Sequence, residues 1–222
     1  MVWCDLPGFG QTLLPSREFS YAEEVLALVD GLGLESIWLL GASFGGQVAI
    51  DFCLAYPNRV QGLILATPAI DGFEPTEDVQ KFGAQEDMLL ERGKLEEATE
   101  LNLRMWVDGP QRTARDVDPA LRKLVGEMQF QAFSQPEPEN VSLRRSSPPA
   151  IERLAEIQAP TLIISGGLDV PAFNALAETI ANGMPNAKRV VVPNTAHLVS
   201  MEAPEQFNQQ VLAFIAANKR QT

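Results

Sequence analysis

The sequence contains few of the residues that cross-link a small fold or hold a metal ion. Among 222 residues there are two cysteines and one histidine. Two cysteines do not make a disulfide framework, and because Cys4 and Cys53 each lie in an apolar stretch, we expect both to be buried thiols. A structural zinc site needs four nitrogen or sulfur ligands, so we expect no metal site.

Positive charge and long apolar runs are also scarce. Lys and Arg number 17 against 29 Asp and Glu, which gives a net charge of −12. Nucleic acids and anionic membrane surfaces attract clustered positive charge, so we expect neither as a partner. No run reaches the roughly 18 apolar residues of a membrane span, and we recognise no secretory leader. We therefore expect a cytoplasmic protein in a reducing environment.

The residues that are present favour a globular α/β fold. Apolar residues make up 45% and charged residues 21%, which is ordinary for a folded domain. Short apolar runs typical of buried strands alternate with segments of helical periodicity. Such alternation predicts a mostly parallel sheet with helices on both faces. The predicted strands are residues 1–5, 36–40, 60–66, 160–165 and 188–192.

The middle of the chain, residues 70–157, has a different character. It shows no convincing strand, and Leu95, Ala98, Leu101 and Met105 recur at helical spacing. Asp118-Pro119 is typical of a helix start, with aspartate as the cap and proline in the first turn. We therefore predict a core of residues 1–69 and 158–222, and call residues 70–157 the helical insertion.

The strongest local motif is the G-x-S-x-G of residues 41–46, which lies between a predicted strand and a predicted helix. This is the context in which a serine is presented on a sharp turn above a sheet. We expect that positions 41 and 45 require glycine, because a side chain at either would prevent the chain from folding back on itself. The N–H of Phe44 would then point toward a developing oxyanion. The plainer alternative is that Ser43 is only a small residue in a tight turn.

A serine hydroxyl needs a base, and His197 carries the only imidazole of the chain. It follows the last predicted strand, and Asp169 follows the strand before it. All three candidates therefore fall at the carboxyl ends of predicted parallel strands, where open α/β sheets place their sites. Asp71 is an alternative acid, whereas Asp5 is expected only to form a turn. The plainer alternatives are that His197 is a histidine of a surface loop and that Asp169 is only a loop or helix-capping aspartate.

With these residues in order, the sequence resembles the α/β-hydrolase superfamily of serine-type hydrolases over nearly its whole length. The matching segments are residues 5–10, 41–46 and 56–60, together with Glu202-Ala-Pro204 and Phe207. The resemblance implies that Ser43 is the nucleophile, Asp169 the acid and His197 the base. It also implies that the helical insertion corresponds to the family's cap.

The sequence departs from the family pattern in two places. Family members usually carry three more strands, and a loop that supplies a second oxyanion N–H, before the segment that matches residues 5–10. Either the sequence is shortened at its start, or the protein is naturally rewired or non-catalytic. In the family, one of these missing strands lies between the first two predicted strands of this sequence. Without it, those two strands would pair directly or leave a gap between them. The second departure is Asn194, where the family often has glycine; asparagine tolerates left-handed backbone angles.

The expected function is cofactor-free hydrolysis of a small carboxylic ester or lactone through an acyl-enzyme, in a monomer or homodimer. Serine at position 43 argues against the dehalogenase and epoxide-hydrolase branches, which use a carboxylate. Carbon–carbon bond hydrolases, thioesterases, amidases and cofactor-free perhydrolases share the triad, so they stay open. So do a slow ligand-binding or signalling protein on the same scaffold, and a fragment whose sheet is completed by another chain. Trp106 and Met105 are candidate substrate contacts, or parts of the core of the insertion.

Overall fold

The computed structural model describes residues 1–136 and 138–219. Its elements, in chain order, are β1 (Glu18–Phe19), α1 (Tyr21–Gly31), β2 (Ile37–Ala42), α2 (Phe44–Ala55), β3 (Val60–Ala66), α3 (Glu77–Glu91), α4 (Leu95–Asn102), α5 (Pro119–Phe133), β4 (Ser142–Leu143), β5 (Thr161–Gly166), α6 (Pro171–Gly183), β6 (Ala187–Val192), α7 (Val199–Glu202) and α8 (Pro204–Asn218). A π-helical turn, Leu103–Asp108, continues α4, and 3₁₀ turns span Pro57–Arg59 and Ala150–Glu156.

Four of these strands form one parallel sheet in the order β2-β3-β5-β6. Successive side chains of a strand point to opposite faces, and the two faces are buried under different helices. Leu63, Leu65 and Ile163 belong to the larger core, which includes residues of α1, α2 and α6. Ile64 and Ile164 belong to a smaller core that α8 closes. The prediction of a parallel α/β sheet covered on both faces is therefore confirmed.

Local signals place the helix boundaries. The side chain of Ser20 accepts a hydrogen bond from the N–H of Glu23 at the start of α1, and Gly33 follows its end with a φ of 65°. The Asp118 side chain accepts one from the N–H of Ala120 at the start of α5. The described part of the chain contains no helix that is long and apolar enough to cross a bilayer.

Two predictions about strands are wrong. The insertion contains a two-residue strand, β4, which pairs in parallel with β1; so short a strand has no periodicity to reveal it. Residues 1–5 form no strand, and the side chain of Trp3 is 85% exposed. A strand needs a neighbour for its N–H and C=O groups, and this segment pairs with none of the described strands, although β2 is at the edge of the sheet.

The same segment corrects the prediction for one cysteine. Cys4 is exposed because its segment is not part of the sheet, whereas Cys53 is buried in α2 as expected. Asp5 has the turn-forming role expected of it, since its carboxylate accepts a hydrogen bond of 3.0 Å from the N–H of Gln11.

One carboxyl group on α2 sits in an unfavourable environment. Asp51 lines a cavity of about 220 Å³ bounded by α1, α2 and the 143–146 segment. Its Oδ1 is buried and has no hydrogen-bond partner among the described residues. Burial, and secondarily the neighbouring Asp71, raises the pKa of this carboxyl to about 6. The folded state therefore binds a proton here more tightly than the unfolded chain does.

We expect Asp51→Asn to stabilise the protein at pH 8 and to have little effect at pH 4. A carboxyl whose pKa is raised on folding costs stability as pH rises from about 4 to about 6. After allowance for partial solvent screening, the gain at pH 8 is about 1–2 kcal/mol. Urea denaturation of both proteins at the two pH values measures it. An equal effect of the substitution at both pH values would contradict this assignment.

Candidate active site

Ser43 occupies a strained position between β2 and α2. Its φ is 50° and its ψ is −116°, a backbone conformation that non-glycine residues rarely adopt. The neighbouring strand holds it there, because the N–H of Ser43 donates to the carbonyl of Ala66 at 2.9 Å. The Ser43 carbonyl in turn accepts hydrogen bonds from the N–H groups of Gly46 and Ala69. Strain that surrounding contacts maintain in this way is typical of functional sites.

The turn of residues 41–46 needs glycine at two positions, but not at both of those predicted. A Cβ at Gly41 would lie 2.1 Å from the carbonyl oxygen of Gly45, which no side chain allows. A Cβ at Gly45 would meet nothing within 4 Å, so the expectation for this residue is wrong. Gly46 takes the role instead, since its Cβ would lie 2.9 Å from that of Pro68. The close approach is between the strand end and the backbone of the first helical turn, so a side chain on Gly45 itself would face open space.

We expect Gly41→Ala to destabilise the protein by about 2 kcal/mol or more, because the new methyl group overlaps backbone that cannot move without disturbing Ser43. Gly45→Ala is the matched control. It adds the same methyl group at the second residue of α2, and alanine is favoured over glycine in a helix by up to about 1 kcal/mol. Urea denaturation of the two variants compares them. Equal stability losses would show that the turn is not packed as described.

The structure brings Ser43, His197 and Asp169 into one hydrogen-bonded row. His197 Nε2 lies 2.9 Å from Ser43 Oγ. His197 Nδ1 lies 2.9 Å from Asp169 Oδ2 and 3.1 Å from Oδ1. Asp169 and His197 are only 2% and 4% exposed. Asp169 Oδ1 also accepts a hydrogen bond of 2.7 Å from the N–H of Val170, which fixes the carboxylate for the imidazole.

The segment that carries His197 is residues 193–197, which we call the histidine loop. Asn194 adopts a φ of 63°, the left-handed conformation that makes asparagine an acceptable substitute for glycine. The carbonyl of His197 accepts a hydrogen bond of 2.9 Å from Thr67 Oγ1, and its N–H donates to the carbonyl of Trp106 at 3.3 Å. Sequence reasoning did not identify Thr67, although its place just beyond β3 is a signal that could have found it.

Aromatic rings pack directly against the imidazole. The ring centroids of Trp106 and Phe173 lie 4.7 and 5.2 Å from that of His197. Trp106, a predicted substrate contact, thus lies next to His197. Phe82 packs against the ring of Trp106. Met105, the other predicted contact, packs against the larger hydrophobic core. Phe173 was missed; its position four residues after Asp169, on the first turn of α6, is the available signal.

Phe44 is the first residue of α2, so its N–H has no partner within the helix and lies at the positive end of the helix dipole. Its ring stacks on Phe9, with a centroid distance of 5.9 Å, and meets the edge of Tyr21 at 4.9 Å. Asp71, the alternative acid, forms an ion pair of 3.3 Å with Arg145 instead of approaching the histidine. Within residues 1–136 and 138–219, no three His, Cys, Asp or Glu side chains are grouped to hold a metal ion.

Comparison with known proteins identifies a family for most of the chain. A family model described as the alpha/beta hydrolase fold matches residues 2–204. The chain is 30% identical over 202 residues to a carboxylesterase (YbfK) of Bacillus subtilis, covering 88% of this chain and 62% of that protein. It is 32% identical over 224 residues to a 2-hydroxy-6-oxononadienedioate/2-hydroxy-6-oxononatrienedioate hydrolase of Pseudomonas putida, covering 97% and 76%.

Solved structures agree on the fold. MenH from S. aureus superposes with a TM-score of 0.76 at 20% identity, covering 97% of this chain and 83% of that one. The chain thus spans between about three fifths and four fifths of the length of these three proteins.

Proposed function

Because the chain belongs to the α/β-hydrolase family, we propose that it is a serine hydrolase that cleaves small, largely apolar carboxylic esters or lactones. The observation that carries the proposal is the row of Ser43, His197 and Asp169, linked by two contacts of 2.9 Å. Nucleophile, base and orienting acid within hydrogen-bond reach are what acyl transfer to a serine requires. The family supports the hydrolase class, and the carboxylesterase relative supports the ester bond.

In the proposed first half-reaction, Ser43 Oγ attacks the carbonyl carbon while His197 Nε2 takes the hydroxyl proton. Asp169 accepts the Nδ1 proton in a hydrogen bond, so that Nε2 is the free acceptor, and it stabilises the imidazolium that forms. The Phe44 N–H donates to the oxyanion. When the tetrahedral intermediate collapses, the bond to the leaving oxygen breaks and His197 returns the proton to it. The alcohol leaves and Ser43 keeps the acyl group.

In the second half-reaction, water attacks the acyl carbon and gives a proton to His197. Collapse breaks the bond to Ser43 Oγ, which recovers that proton, and the carboxylic acid leaves. No cofactor enters these steps. We further propose that the helical insertion is the cap of the site, because it contributes Trp106, whose ring lies against the imidazole. Met105 would contribute only indirectly, through the core behind Trp106.

The aromatic surroundings of His197 favour an apolar substrate. Trp106 and Phe173 present rings and no charge next to the imidazole. A second candidate is cleavage of a carbon–carbon bond, which is favoured by the Pseudomonas putida relative, whose name specifies a dioate. A dicarboxylate substrate needs cationic partners, and the net charge of −12 disfavours such a substrate.

We also propose that the protein is cytoplasmic, since its two free thiols fit a reducing environment. We propose a monomer or a homodimer as its assembly.

The proposal is tested by steady-state hydrolysis of p-nitrophenyl esters from acetyl to decanoyl, of simple lactones, and of a 2-hydroxy-6-oxo-dienedioate. We expect turnover of short esters or lactones, and kcat/KM at least about tenfold lower for the dioate. Preferential cleavage of the dioate would select the carbon–carbon hydrolase. Tight binding of one compound without turnover would select the ligand-binding alternative, in which the scaffold is kept but hydrolysis is not.

A further inference from the structure

A buried ion pair lies beside the histidine loop without touching the imidazole. Arg112 Nη1 and Glu202 Oε2 are 2.7 Å apart, and the two side chains are only 12% and 7% exposed. Arg112 belongs to the helical insertion, four residues beyond the π-helical turn, and Glu202 is the last residue of α7. Nothing in the proposed chemistry uses either side chain. Two charges taken this far out of water need a compensating set of hydrogen bonds.

Those hydrogen bonds go to the peptide backbone on both sides of the pair. In the insertion, Arg112 Nε donates to the carbonyl of Asp108 at 2.9 Å, and Nη2 donates to that of Val107 at 2.7 Å. Toward the histidine loop, Arg112 Nη1 lies 3.4 Å from the carbonyl of Asn194. Glu202 Oε1 accepts a hydrogen bond of 2.8 Å from the N–H of Ala196.

These contacts hold the backbone on both sides of His197. The ion pair reaches the loop at Asn194 and at Ala196, the residue immediately before the histidine. On the other side, it fixes the carbonyls of Val107 and Asp108, next to Trp106, whose own carbonyl accepts the His197 N–H. The backbone that carries the imidazole and the turn that carries its aromatic neighbour are therefore held by the same guanidinium.

We propose that Arg112 and Glu202 are positioning residues, which act through the histidine loop to keep the imidazole within hydrogen-bond distance of both Ser43 and Asp169. The inference rests on the proposed function, because it assigns a role toward that same histidine. Proton transfer is sensitive to geometry, and a misplacement of about 1 Å costs on the order of 10²-fold in rate. The imidazole acts in the chemical step, so we expect the main effect in kcat, and only a small effect on KM through the turn that carries Trp106.

The helical insertion offers a matched control. Arg122 is also largely buried and forms ion pairs of 2.9 Å with Asp108 and 3.0 Å with Glu100. None of its described hydrogen bonds reaches the histidine loop. Arg122→Met therefore removes a comparable buried guanidinium from the same segment while leaving the contacts around Ala196 in place.

The test measures kcat and KM on an ester substrate, the melting temperature, and the imidazole NMR signals of ¹⁵N-histidine-labelled protein. The chain has one histidine, so every imidazole signal belongs to His197. For Arg112→Met we expect kcat to fall about 10- to 100-fold with KM within about threefold. We also expect the Nδ1–H signal to broaden or disappear. For Arg122→Met we expect kcat within about threefold and an unchanged signal, even at a similar loss of melting temperature.

Equal effects of the two arginine variants on kcat and on the imidazole signal would overturn the proposal. If Arg112→Met does not fold, Glu202→Gln decides, because it keeps an acceptor for the Ala196 N–H but removes the charge that holds Arg112. We expect it to lower kcat about tenfold; wild-type kcat and signal would overturn the proposal. If the wild-type protein hydrolyses nothing, the proposed function fails, and the NMR comparison alone still decides whether the pair positions His197.

Discussion

Ser43→Ala is expected to lower kcat/KM for ester hydrolysis by about 10⁴- to 10⁶-fold, a larger effect than we expect of any other single substitution. Removing Oγ leaves His197 and Asp169 with no nucleophile to activate. Water would have to attack in its place, from a position that no side chain prepares. The residual rate would come from substrate binding and from the Phe44 N–H alone.

A control variant separates this effect from a loss of folding. Ser36→Ala removes a hydroxyl just before the opposite end of β2, where it contacts the Gln61 side chain at 2.9 Å. Its activity should stay within about twofold of wild type, as expected for a surface substitution. If Ser43→Ala kept a tenth of the wild-type activity, Ser43 could not be the nucleophile.

Asp169→Asn is expected to lower kcat about 10⁴-fold, as the loss of the equivalent charge does in serine proteases. In the proposed mechanism the carboxylate accepts a hydrogen bond from His197 Nδ1, which lies 2.9 Å from Asp169 Oδ2, so that Nε2 faces Ser43 Oγ as an acceptor. An asparagine that turned its NH₂ group to Nδ1 would favour the opposite tautomer. Nε2 would then carry the proton and could not take one from the serine.

Asp71→Asn is the natural control, because Asp71 is the alternative acid by chain order. It pairs with Arg145 and not with the histidine, so its removal should change kcat by less than about threefold. The kcat of both variants is measured on the same ester. A larger loss in Asp71→Asn than in Asp169→Asn would reverse the assignment of the acid.

The sequence alone predicted that the three candidate side chains converge, because their spacing follows from the fold. A serine in a G-x-S-x-G turn and two polar residues after later strands converge wherever parallel strands end at one edge. The structure brings Ser43, Asp169 and His197 together in that way. The predicted strands of the main sheet, apart from residues 1–5, and the cap of α5 at Asp118 follow from equally local patterns.

Features that depend on contacts between distant segments were not predictable in this way. Residues 1–5 have the composition of a strand, but a strand exists only where its backbone pairs with a neighbour, and this segment pairs with none of the described strands. Gly46, not Gly45, is the crowded glycine because Pro68, 22 residues later, lies against it. Arg112 belongs to no recognised motif, and the family match at Glu202 does not reveal its partner; only the packed structure shows that the two side chains meet beside the histidine loop.

The most direct test of the central claim, that Ser43 is an activated nucleophile, is intact-mass analysis after treatment with a fluorophosphonate. Such reagents phosphonylate serines whose hydroxyl has a positioned base and an oxyanion donor. We expect one adduct per chain in the wild-type protein and none in Ser43→Ala, with Asp169→Asn labelled far more slowly. A folded wild-type protein that takes up no adduct, or an adduct that persists in Ser43→Ala, would contradict it.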